Sequence, residues 1–168
     1  WWWLFEPTYS AINWFLVKIS LPAIPWLSET FWARFSIILV NVWVGAPFFL
    51  IMYLAALKSI PADLYEAASI DGANYRQKLY YITLPMMKNI ISITILFSII
   101  VTFANFDIVR VLTRGGPIDT THLFATYAFR VGIESGDIPL GAAVSLFMFP
   151  ILGTLAFIIL RSVRKRAM

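Results

Sequence analysis

The residues able to do chemistry in this 168-residue chain are few, and they suit holding a solute better than breaking a bond. It has no Cys, and its single His, His122, has no acidic or thiol partners at metal-ligand spacing, so a surface or packing role outweighs metal binding. Ser98 and Ser145 lie in apolar stretches with no histidine or acid to activate them, which disfavours a membrane enzyme; no catalytic or metal-ligating residue is assigned. There is no GxxxxGKS/T run to cradle a phosphate. What remains is carboxamides and hydroxyls at helical spacing. Asn41, Gly45 and Phe48 fall at i, i+4 and i+7, as do Ser98, Thr102 and Asn105. A carboxamide offers donors and acceptor lone pairs to a hydroxylated ligand, and Phe48 could stack on the apolar face of a sugar ring. For Gly45 and Ser98, close helix packing is an equally good explanation.

The elements that must position these residues are membrane helices. With 60% apolar, 17% aromatic and 13% charged residues, the chain has too few polar side chains to cover a water-soluble domain. Three stretches can cross a hydrocarbon core, at 35–57, 90–109 and 138–160. Pro139, Gly141, Pro150 and Gly153 flank or interrupt the third, where helix packing explains them more simply than a hinge. The stretch 11–27 is broken by Lys18, Pro22 and Pro25, so it is expected to lie at the membrane surface with Trp14 and Trp26 as interfacial anchors. The chain opens on Trp1-Trp2-Trp3 without an initiator Met, basic n-region or cleavage site, and is read as a portion of a longer membrane protein.

Charge sets the expected orientation. Lys58, Arg76, Lys78, Lys88, Arg161, Arg164, Lys165 and Arg166 are offset only by Asp63, Glu66 and Asp71, which puts the 58–89 loop and the 161–168 tail on the cytoplasmic side. Residues 1–34 and 110–137 then form outer-side and interfacial segments. In the second of these, Thr113–Pro117 reads as a turn, His122 to Val131 as a short surface helix, and Asp107 with Arg110 as an interfacial ion pair. The basic tail is expected to lie against anionic lipid, with no nucleic acid as partner. Neither polar stripe carries a charge, which favours a neutral hydroxylated solute and leaves the alternative, a gradient-driven secondary transporter or channel, without its usual intramembrane carboxylate.

The loop at Ile60 to Pro85 is the most ordered polar segment. Pro61 suits a helix first turn, Asp63 and Glu66 favour the positive end of its dipole, Gly72 stops it, and Asn74 caps a second helix over Tyr75 to Thr83 before Pro85. Leu64, Ala67, Ala68 and Asp71 share one face. Glu66-Ala67-Ala68, three residues, Gly72, nine residues, Ile82, one residue, Leu84-Pro85 resembles the EAA signature of permease subunits of binding-protein-dependent ABC importers. A chance match at all these positions is below roughly one in a million per start site. NVWVGAPFFLI, AALKSIPADLYEAASIDGA and TRGGP look like the carbohydrate-uptake branch, which moves maltose-type oligosaccharides or glycerol phosphates.

The resemblance implies an all-α polytopic fold, a partial ABC importer type I transmembrane domain with about three full membrane helices plus a coupling helix. It implies that Glu66, Ala67, Ala68 and Gly72 dock on a cytoplasmic ATP-binding subunit. That partner would bind ATP and Mg, and this chain would need no cofactor of its own. It also implies a second permease subunit, an extracytoplasmic solute-binding protein, and residence in the bacterial inner membrane with the C-terminus cytoplasmic. By the same resemblance the sugar-contacting positions are Asn41, Val44, Gly45, Phe48, Ser98, Val101, Thr102 and Asn105.

Overall fold

A computed structural model of the chain describes residues 1–164; Lys165 and Arg166 of the basic tail lie outside the described residues. Among the described residues every regular element is helical. Two short helices, α1 (Trp2–Phe5) and α2 (Ala11–Lys18), precede the long α3 (Thr30–Lys58). The loop helix α4 (Ala62–Ile70) is followed by α5 (Tyr75–Lys78), a π-helical turn (Leu79–Thr83) and α6 (Leu84–Phe103). Next come α7 (Asp107–Leu112), α8 (Phe124–Phe129) with a second π turn (Arg130–Glu134), and α9 (Ile138–Arg164). Thr30–Lys58, Tyr75–Phe103 and Ile138–Ile158 are long and apolar enough to cross a bilayer. Their apolar side chains, among them Val42, Leu50, Ile51 and Phe149, are largely exposed, as befits surfaces that meet lipid or other helices.

The chain packs as two units. One comprises Trp1–Val44 and Ile100–Leu152, the other Gly45–Ile99 with residues 153–164. In the first, Phe5, Trp26, Val40 and Leu112 form a buried core. The segment after α2 has no helical ladder, so side chains satisfy its backbone. Asn13 accepts from the Ile24 N–H and the Trp26 indole, both at 3.0 Å, and donates to the Ile24 carbonyl at 2.9 Å. Trp26 is therefore a core residue and not the interfacial anchor expected of it, because its indole N–H finds a protein partner; Trp14 is the exposed one. Also in this unit, Gly132 and Gly141 nearly touch: a Cβ on Gly141 would lie 2.5 Å from the Gly132 Cα. That close approach accounts for the glycine at the start of α9 by packing.

In the second unit Ala56, Ile60 and Met87 form a core with Tyr53, Tyr65, Ile82 and Ile90 packed on it. Thr94 donates back to the Ile90 and Ile91 carbonyls and so accepts from the Tyr53 hydroxyl at 2.9 Å, joining α3 to α6.

Several boundaries differ from expectation, among them the end of α9, which runs to Arg164 and not to Leu160. The first membrane helix starts at Thr30 and not Phe35, since nothing between them breaks a helix. The helix beginning at Tyr75 does not end before Pro85 but continues unbroken to Phe103. A proline ring ordinarily clashes with the carbonyl four residues back, here Tyr81, and Tyr81 sits inside the π turn, where the backbone is already widened. The same helix then stops at Phe103, short of Val109, because Asn105 turns its side chain to the Ile108 N–H at 3.2 Å and starts α7. The outer helix expected at His122 to Val131 begins instead at Phe124 as α8 and runs on through the second π turn to Glu134, with Thr126 and Ala128 buried.

Removing the Asn13 carboxamide leaves the Ile24 N–H and the Trp26 indole N–H without their partner, so Asn13→Ala should cost on the order of 2 kcal/mol. A thermal-shift measurement in detergent checks this, with no change in midpoint as the contrary result.

Candidate functional site

The EAA residues sit on α4 and the turn that ends it. Glu66 and Ala67 are exposed, Ala68 is half-buried, and Tyr65 packs into the core of its unit. Tyr65 and Ala68, three residues apart, share the inward face, while Glu66 and Ala67 stand about 100° and 200° round from Tyr65 and lie outside it. The helix closes in a Schellman motif: Gly72 N–H donates to the Ser69 carbonyl at 3.1 Å and Ala73 N–H to the Ala68 carbonyl at 2.9 Å. Gly72 has φ +75°, a conformation that only glycine adopts without strain, and nothing lies within 4 Å of where a Cβ would stand. The next helix starts with a reciprocal capping box, Asn74 accepting from the Gln77 N–H at 3.0 Å and Gln77 accepting from the Asn74 N–H at 2.7 Å. The exposed face of α4 is thus presented on a turn with little freedom.

The polar stripe divides between the two units. In the first, three of its residues meet: Asn41 Nδ2 donates to Thr102 Oγ1 at 3.4 Å, and Asn105 Nδ2 donates to Asn41 Oδ1 at 3.1 Å. Each carboxamide keeps one further N–H, and together with the Thr102 hydroxyl these form a small neutral donor set. Asn105 lies past the end of α6, so it joins the cluster from the break and not from a third helical turn. Val44 and Val101 are exposed. In the second unit, Phe48 packs on Phe97 with ring centroids 4.9 Å apart, so one face of its ring is already covered. Gly45 lies against Phe49, and Ser98 is half-buried.

Sequence reasoning missed a cavity of about 360 Å³ beside Thr102, lined also by Phe103, His122, Leu123, Phe124 and Tyr127. Phe103 and Phe124 stack nearly parallel there, at 6.5 Å. Its lining comes from the segment 122–127, far from Thr102 in sequence, so no local spacing announces it. His122 packs inward beside this cavity. Thr126 Oγ1 donates to the Leu123 carbonyl, so the His122 Nδ1–H, 3.1 Å away, is the donor to it, leaving Nε2 to accept from Arg130 at 3.3 Å. Arg130 also pairs with Asp119. Arg110 pairs with Glu134 at 2.5 Å and not with Asp107, because the fold brings a remote carboxylate closer than the one a turn away.

The model of the family described as "Binding-protein-dependent transport system inner membrane component" matches residues 2–168. The maltose/maltodextrin transport system permease protein MalF of Vibrio vulnificus is 35% identical over 94% of this chain and 32% of its own length. MalF of Escherichia coli K12 is 33% identical over 97% of this chain and 34% of its own. The chain therefore spans about a third of the curated relatives it matches. Among solved structures, a bacterial ABC transporter involved in the import of the acidic polysaccharide alginate superposes with TM-score 0.85 at 27% identity, over 97% of this chain and 57% of that one. The alginate ABC transporter in complex with an alginate pentasaccharide-bound periplasmic protein gives 0.86 at 26%, with the same coverage.

Burial lowers the His122 pKa below its ordinary value; Asp119 opposes this, Arg130 reinforces it, and Glu134 and Arg110 follow in the same alternation. The folded segment therefore binds a proton less readily than the unfolded one. Its contribution is complete above the unfolded value of about 6.5 and is lost as pH falls through the lower folded value. Between pH ~7 and ~5 the thermal midpoint of the solubilised protein should drop further for wild type than for His122→Gln; equal drops would remove this role.

Proposed function

The chain belongs to the family of binding-protein-dependent transport system inner membrane components, and on that premise we propose that it is a permease subunit of an ATP-driven carbohydrate importer. In this reading the 58–89 loop faces the cytoplasm, and α4 receives the push of a separate ATP-binding subunit that holds ATP and Mg. A second permease subunit completes the membrane passage. A solute-binding protein delivers sugar on the outer side, where the Asn41, Thr102 and Asn105 cluster would meet its hydroxyls, and the passage opens to each side in alternation.

The observation that carries the reading is the exposed EAA helix, with Glu66 and Ala67 offered outward on a turn fixed by Gly72. A rigid helix can be moved as a body by a closing partner, whereas a flexible loop would absorb the displacement. The relatives named as maltose permeases support sugar as cargo, and the alginate transporter seen with a loaded periplasmic protein supports a solute-binding partner. The cargo of that transporter is acidic, whereas the polar stripe here is uncharged. The neutral saccharide is therefore the reading we carry forward.

Glu66→Ala combined with Gly72→Val should reduce recovery of the ATP-binding subunit in a pull-down about tenfold, equivalent to ~1.4 kcal/mol; undiminished recovery with wild-type transport would sink the docking assignment. Asn41→Ala should change the preference among maltodextrins and uronate oligosaccharides in a vesicle uptake assay while the complex still assembles. Wild-type uptake of the same sugar would remove Asn41 from the path.

A further inference from the structure

The loop helix and the foot of the following membrane helix are joined by a closed ring of side-chain hydrogen bonds. The Ser69 hydroxyl donates to the Tyr65 carbonyl at 2.7 Å and accepts from the Lys78 ammonium at 2.5 Å. Across the π turn, the Thr83 hydroxyl donates to the Lys78 carbonyl at 3.3 Å. With its proton so committed, Thr83 Oγ1 accepts from the Tyr65 hydroxyl at 2.8 Å, which closes the ring. Thr83 is buried, and the Tyr65 ring packs on the cluster of Ala56, Ile60 and Met87, so it touches the core shared by the ends of α3 and α6.

Every member of the ring has a reason to be there. The π turn carries Thr83 past the position it would hold in an uninterrupted helix and aims its hydroxyl at the carbonyl five residues back. Tyr65 stands one residue before Glu66, about 100° round the helix, so the inward Tyr65 faces the ring while Glu66 is exposed.

We propose that Tyr65 and Thr83 are positioning residues for energy coupling: they lock the EAA helix to the foot of α6, so that displacement of α4 moves the membrane helix with it. This rests on α4 being the docking element. Neither residue contacts solute or nucleotide; each acts through the orientation of α4.

The test uses the complete importer, with its ATP-binding subunit, second permease and solute-binding protein, in proteoliposomes, reading solute moved per ATP hydrolysed. Tyr65→Phe keeps the ring packing and removes only the donor. It should lower that ratio roughly 2- to 10-fold, the effect of one net hydrogen bond, while the ATP-binding subunit still co-purifies. Thr83→Val should do the same, and Thr83→Ser, which keeps the hydroxyl, should restore the ratio. A wild-type ratio in both Tyr65→Phe and Thr83→Val overturns the proposal, as does failure of Thr83→Ser to restore it. Loss of the ATP-binding subunit with Tyr65→Phe also overturns it, since the residue would then act in docking. Failure of the underlying reading is separately visible as full retention of that subunit by the Glu66 and Gly72 double variant.

Discussion

In hydrocarbon no water can pair with an open N–H or C=O, and this requirement governs where the chain is regular and where it is not. It explains why α3 remains one helix across Pro47, and α9 across Pro150, although each proline deletes a donor. It also explains why irregular backbone lies outside the long helices among the described residues. There side chains take over the pairing that a helix would provide: Asn13 for Ile24, Asn105 for Ile108, Thr121 for Gly116. The polar residues on the long helices obey the same rule by pairing with one another, as Asn41 does with Thr102 and Tyr53 with Thr94.

This has a bearing on how a solute could be held. The carboxamide cluster is held together by its internal hydrogen bonds, and the one N–H that each carboxamide keeps is open to a further acceptor. The EAA helix follows the opposite logic. Its outward face is left unsatisfied in packing terms, with Leu64 and Ile70 exposed beside Glu66 and Ala67, while its inward face is tied down by Tyr65.

Much of this was legible in the sequence because it is local. Pro61, Gly72 and Asn74 act on backbone within a few residues of themselves, and the helix, its stop and the cap of the next helix follow from them. The EAA spacing was legible for the same reason. What could not be read depends on partners that the fold supplies from a distance. Arg110 and Asp107 have the spacing of a helical ion pair, yet Glu134 takes the guanidinium. Trp26 has the composition of an interfacial anchor, yet Asn13 takes its indole proton. Pro85 reads as a helix break unless the π turn before it is known, and that turn has no pattern of its own in the residues.

The π turn at Leu79–Thr83 has a geometric effect on the whole helix that contains it. One residue more than an α-helical turn is spent there, so the two portions of Tyr75–Phe103 differ in phase by about 100°, the angle of a single residue. The face that the loop end presents is therefore rotated by that angle from the one an uninterrupted α-helix would present. The foot of the helix can then meet one neighbour while its membrane portion meets another.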